Sequence, residues 1–88
     1  MAILPETLGL KEAAAALQDL RNQMRGESGV QIVVNAAALR HFDSSALAVL
    51  LDCKREAARQ QKSFLLEGAP PKLLALADLY GVRELLGT

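Results

Sequence analysis

Eighty-eight residues, 51% of them apolar and only Phe42, Phe64 and Tyr80 aromatic, suffice for one domain whose core is built from Leu, Ile, Val and Ala. Ten basic residues balance ten acidic ones, so no net field draws the chain to a nucleic-acid backbone or an anionic membrane surface. Cys53 is the single cysteine, which excludes an internal disulfide and a multi-cysteine metal site, and no apolar stretch approaches the roughly 20 residues needed to cross a bilayer.

Residues 1–9 have neither the basic start nor the apolar segment of a signal peptide, so a reducing cytoplasm is the expected setting. Ala2-Ile3-Leu4 fits a short strand that Pro5 interrupts, since proline offers no N–H to a ladder, and residues 7–9 fit a second extended piece. Leu10, Ala13, Ala14, Leu17, Leu20 and Met24 recur at helical spacing, with Lys11, Glu12, Gln18, Asp19, Asn22 and Arg25 mostly opposite. This predicts an amphipathic helix ending near Gly26. After the turn Gly26-Glu27-Ser28-Gly29, the β-branched run Val30-Gln31-Ile32-Val33-Val34-Asn35 shows little polar alternation. Such a strand is expected at the centre of a sheet, covered on both faces.

Residues 36–43 cross to a second long helix over residues 45–61. Its first half, Ala46-Leu47-Ala48-Val49-Leu50-Leu51, is apolar all round, whereas Lys54, Arg55, Glu56, Arg59, Gln60, Gln61 and Lys62 make the distal half polar. Ser63-Phe64-Leu65-Leu66-Glu67 fits a short strand. Gly68-Ala69-Pro70-Pro71 then opens a third helix, with Pro71 in its first turn and Leu73, Leu74, Leu76, Ala77 and Tyr80 as its apolar side. Gly81 stops that helix, and residues 82–86 can add one more turn. The order, with crossovers long enough to join parallel neighbours, predicts one α/β domain over residues 1–88. Its sheet is small, mixed and mostly parallel, with helices packed over it.

Asp43-Ser44-Ser45 stands where the second helix opens. The first N–H groups of a helix lack intrahelical partners, and an Asp or Ser oxygen placed there accepts from them, so a helix cap is the plain reading. The functional reading is a regulated hydroxyl, because a phosphate on Ser44 or Ser45 would meet free N–H donors and the positive end of the helix dipole. The two are compatible: Ser44 is expected to cap and orient the helix, and Ser45 to contact a partner or accept a modification. Behind them Ala46, Val49 or Leu50 would face outward if Leu47, Leu51 and Ala58 face the sheet, and an apolar patch beside a polar cap suits a protein partner. The alternative is that the third helix or a loop covers this belt, making both of its faces core.

No catalytic residue, cofactor or metal is assigned. His41, Asp43 and Ser45 are near neighbours in one segment, whereas the groups of a hydrolytic triad usually come from separate elements and work beside an oxyanion hole. His41, Asp43 and Cys53 lack a paired-ligand spacing, no glycine-rich phosphate loop is present, and Cys53 reads as a small helix residue. Lys54, Arg55, Arg59 and Lys62, interrupted by Glu56, read as a solvated face rather than an RNA or lipid footprint.

The run Val30-Gln31-Ile32-Val33-Val34-Asn35, followed by Phe42-Asp43-Ser44-Ser45-Ala46-Leu47-Ala48-Val49-Leu50-Leu51, resembles the STAS domain family. Members of that family carry a hydrophobic strand and then an Asp-Ser-Ser/Thr-Gly-Leu type signature opening a helix. The first helix, the strand over residues 63–68 and the Pro70-Pro71-Lys72-Leu73-Leu74-Ala75-Leu76 helix follow the family's order. Two branches are implied, and both act by binding another protein. In antagonists of anti-sigma factors, the phosphorylated hydroxyl just before the usual Gly corresponds to Ser45, and the partner is a serine kinase. In MlaB-like subunits of phospholipid-transporting ABC complexes, a hydroxyl directly after the Asp corresponds to Ser44, and the partner is the cytoplasmic ATPase subunit. Ala46 stands where the signature usually has Gly, and with the compact ends of the chain it favours the MlaB-like branch. The resemblance thus implies a partner surface of Asp43, Ser44, Ser45, Ala46, Leu47, Val49 and Leu50. It also implies a cytoplasmic protein that reaches the inner face of the membrane only through its partner.

Overall fold

A computed structural model describes residues 1–87. The chain runs β1 (Ala2–Ile3), β2 (Thr7–Leu8), α1 (Ala13–Arg25), β3 (Gln31–Asn35), β4 (His41–Phe42), α2 (Ser45–Arg59), β5 (Ser63–Glu67), α3 (Pro71–Leu79) and α4 (Arg83–Leu86). The β-branched β3 takes the central place its sequence predicts, between β1 and β5. Ala2 lies beside Val34, and Val33 beside Leu65.

The α/β class is as expected, but the sheet differs in two respects. Every strand pair among the described residues is parallel, and β2 pairs with β4 in a separate two-stranded sheet. Pro5, which has no N–H to donate, stands between β1 and β2. On the facing segment the chain turns, with the Ala37 N–H donating to Asn35 Oδ1 at 2.8 Å and the Leu39 N–H to the Ala36 carbonyl at 3.1 Å. The register slips by two residues across this break, from Ala2 beside Val34 to Thr7 beside His41. The Glu6 carbonyl fastens the step by accepting from the N–H groups of both Arg40 (2.8 Å) and His41 (3.0 Å).

The expectation that β3 is covered on both faces is not met. Ala2, Ile32, Val34 and Leu66 point into the core, whereas on the opposite face Ile3 is 52% and Leu65 39% exposed. The strand order explains this. The chain moves across the sheet in one direction, β1 to β3 to β5, and right-handed crossovers in one direction place both α1 and α2 on the same face.

Helix α1 buries Leu20 and Met24 and packs against α2. Its Gln23 Oε1 accepts the outward Ile3 N–H at 3.0 Å, which blunts the free edge of β1. Leu10, assigned by periodicity to this helix face, instead precedes the helix and is 79% exposed. Helix α2 buries Ala46, Leu47, Val49, Leu50, Cys53 and Ala57 between α1, β5 and α4. Its distal half is a solvated face, with Arg55 on Asp52 at 2.6 Å and Arg59 on Glu56 at 3.1 Å. Leu73 and Ala77 of α3 and Leu86 of α4 complete the core. Tyr80, expected on the apolar side of α3, lies at its C-cap and is 57% exposed.

Candidate functional site

Because β2 and β4 are parallel neighbours, their ends deliver two turns side by side, one at Gly9 and Leu10 and one at Asp43, Ser44 and Ser45. The Asp43 carboxylate joins them. Its Oδ1 accepts the Ser45 N–H at 2.8 Å and its Oδ2 accepts the Leu10 N–H at 3.1 Å. The Glu12 carboxylate closes the first turn from within, accepting the Gly9 N–H at 2.9 Å. A Cβ on Gly9 would lie 3.2 Å from both Asp43 Oδ2 and Glu12 Oε1, so the close approach of two carboxylates suits a glycine there.

Asp43 is exposed, yet its carboxyl is held below the usual carboxylate range. The backbone and side chain of Ser45 donate to it first, and the Leu10 N–H adds to them. It is Asp43, and not Ser44 as expected, whose side chain satisfies an early N–H of α2. Ser44 already has helical angles, φ −61° and ψ −17°, and makes no capping hydrogen bond. A serine usually caps from the extended region, where its oxygen can reach forward. The Ser44 side chain is exposed, and Ser45 is half-buried.

The expected docking residues therefore divide. Asp43, Ser44 and Ser45 form the accessible corner, while Ala46, Leu47, Val49 and Leu50 are in the core. The outward-facing belt is a correction: with α1, β5 and α4 packed around α2, Ala46, Val49 and Leu50 are buried along with Leu47, so the covered alternative holds for them, while Ala48 stays exposed and Leu51 half-buried. Leu10, Gly9 and Glu12 belong to the corner and escaped the sequence reading, because Leu10 fits the helical period of α1. The signal that could have separated them is Gly9 itself, a glycine between strand and helix.

His41 is an exposed residue of β4, while both oxygens of Asp43 are engaged by backbone N–H groups. Cys53 is buried in α2, and burial pushes its thiol up to about 12, with the Asp52 carboxylate adding to the shift. Among the described residues no group of three His, Cys, Asp or Glu side chains is placed to hold a metal ion. No helix among them is long and apolar enough to cross a membrane.

Residues 7–87 match the family model described as Mlab, STAS domain. The chain belongs to this STAS family. The STAS assignment suggested by the Phe42 to Leu51 signature therefore extends over the first helix, the later strand and the last helices. A curated relative is the intermembrane phospholipid transport system binding protein MlaB of Haemophilus influenzae, 40% identical over 50 residues. The alignment covers 57% of this chain and 48% of that protein, so the match spans about half the relative's length.

Proposed function

We propose that this chain is a non-catalytic binding subunit that docks on the cytoplasmic nucleotide-binding subunit of a phospholipid-transporting ABC complex and supports its assembly or activity. The observation that carries the reading is the corner at Asp43, Ser44 and Ser45. It is fixed by hydrogen bonds at both Asp43 oxygens, it stands at the surface, and it lies in a STAS domain of the Mlab type. The corner contacts the partner, while Ala46, Leu47, Val49 and Leu50 act indirectly by holding α2 in place. On this reading the protein is cytoplasmic and meets the membrane only through the transporter.

Co-purification with the ATPase subunit tests this. Ser45→Asp adds a charge at a half-buried position beside Asp43, and burying it in a dry contact without a partner weakens docking. Undiminished affinity of that variant would remove Ser45 from the interface. The place of Ser45 at this surface corner, next to the exposed Ser44, supports a second reading, an anti-sigma factor antagonist switched by a serine kinase. Phosphate found by mass spectrometry on Ser44 or Ser45 after incubation with candidate kinases, with loss of kinase binding, would favour that reading.

A further inference from the structure

We propose that the docking surface has an apolar anchor, Leu10, and that Asp43 is the positioning residue that holds it beside Ser44. The inference rests on the reading above, that the ATPase subunit meets the start of α2. It adds what that subunit must offer: an apolar pocket whose rim carries cationic or N–H-donating groups.

Scattered exposed leucines are ordinary on protein surfaces, and exposure by itself says nothing. Leu10 differs in how it is held. Its own N–H is bound to Asp43 Oδ2 at 3.1 Å, and the turn before it is closed twice, by the Gly9 N–H on Glu12 Oε1 at 2.9 Å and by the Glu12 N–H on the Gly9 carbonyl at 3.0 Å. The backbone at Leu10 is therefore fixed while 79% of the residue remains in water. An apolar side chain on a preset backbone costs little ordering when a partner covers it, which is the property of an interface anchor.

The charge around it is equally specific. The carboxylates of Asp43 and Glu12 converge on Gly9, the residue next to Leu10, and Lys11 lines the adjoining groove with Thr7 and Asp19. A leucine beside two carboxylates is complemented by an apolar pocket with a basic or N–H-rich rim. Asp43 serves both turns at once, so its removal frees Leu10 and uncaps α2 together.

The test is binding of the full chain to the purified ATPase subunit by calorimetric titration, with thermal unfolding of each variant as a check on folding. Leu10→Ala is expected to lower affinity roughly 30-fold, as for an interface hot spot, with no loss of thermal stability. Leu79→Ala, at another 79% exposed leucine on α3, is expected to leave affinity unchanged. Asp43→Asn is expected to weaken binding, and in that background Leu10→Ala is expected to lose much of its effect. This non-additivity is a readout that a merely structural Asp43 would not produce. Leu10→Ala binding within twofold of the wild type, while Ser45→Asp abolishes binding, would overturn this inference and leave the docking reading standing. Effects of Leu10→Ala and Asp43→Asn that simply add would overturn the positioning role. A wild-type chain that does not bind the subunit, or a Leu10 effect confined to self-association, would overturn the inference, the first of these along with the docking reading.

Discussion

Leu50→Ala separates a core role for the apolar half of α2 from an interface role. Leu50 has no exposed surface and lies in one cluster with Leu20, Met24, Ile32, Val34, Leu66 and Leu86. Truncation to alanine removes three carbon atoms, about 2.4 kcal/mol of transfer free energy at about 0.8 kcal/mol per methylene. A residual cavity raises the loss to roughly 3–4 kcal/mol, within the range of buried leucine truncations. In a domain of this size each kcal/mol shifts the melting temperature by about 4–8 °C, so a fall on the order of 12–30 °C is expected. Circular dichroism melts of the purified variant measure it. Ala48→Ser, on the exposed side of the same turn, serves as the control and is expected to change stability by less than about 0.5 kcal/mol. A Leu50→Ala protein melting within about 4 °C of the wild type, yet unable to bind its partner, would refute the placement of Leu50 in the core.

Three further outcomes follow from the hydrogen bonds and burial described. Asp43 has a depressed folded pKa, so its stabilisation is complete above the unfolded value of about 3.9 and is lost as pH falls through the folded value. Asp43→Asn is therefore expected to be less stable than the wild type at neutral pH, with the difference shrinking below about pH 4 in melts across acid buffers. Cys53, buried and with its thiol at about 12, is expected to resist a thiol reagent at pH 7.5 in the folded protein and to react at once in denaturant. Arg59→Ala breaks only a surface pair with Glu56 at 3.1 Å, and chemical denaturation is expected to show a change under about 0.5 kcal/mol.

The elements legible in the sequence are those whose periodicity spans several residues: α1, β3, the apolar start of α2, β5 and α3. What was not legible depends on partners distant in sequence. His41 and Phe42 form a strand only because Thr7 and Leu8 lie alongside, and two residues carry no pattern of their own. Leu10 keeps the helical spacing of α1 and yet lies outside it, since periodicity does not register a backbone N–H drawn to Asp43, 33 residues away. The exposed face of the sheet had only a broken local signal, because Gln31, Asn35, Ser63 and Glu67 share it with Val33 and Leu65, whose apolar side chains interrupt the polar alternation. The location of the corner was evident from Asp43-Ser44-Ser45. Which of these residues caps the helix was decided by the backbone angles of Ser44.

The two-residue ladder between β2 and β4 is far shorter than a pair of strands needs to persist alone. It lasts because an acceptor clasps it at each end, the Glu6 carbonyl at one and the Asp43 carboxylate at the other. Residues 6–10 and 40–45 are consequently expected to open as one cooperative unit. The amide protons of Leu10, Arg40, His41 and Ser45 should exchange with solvent at a common free energy below that of the β3 amides. Any change that loosens either clasp, even one remote from Ser44, is then expected to alter how often residues 9–10 and 43–45 hold their hydrogen-bonded arrangement.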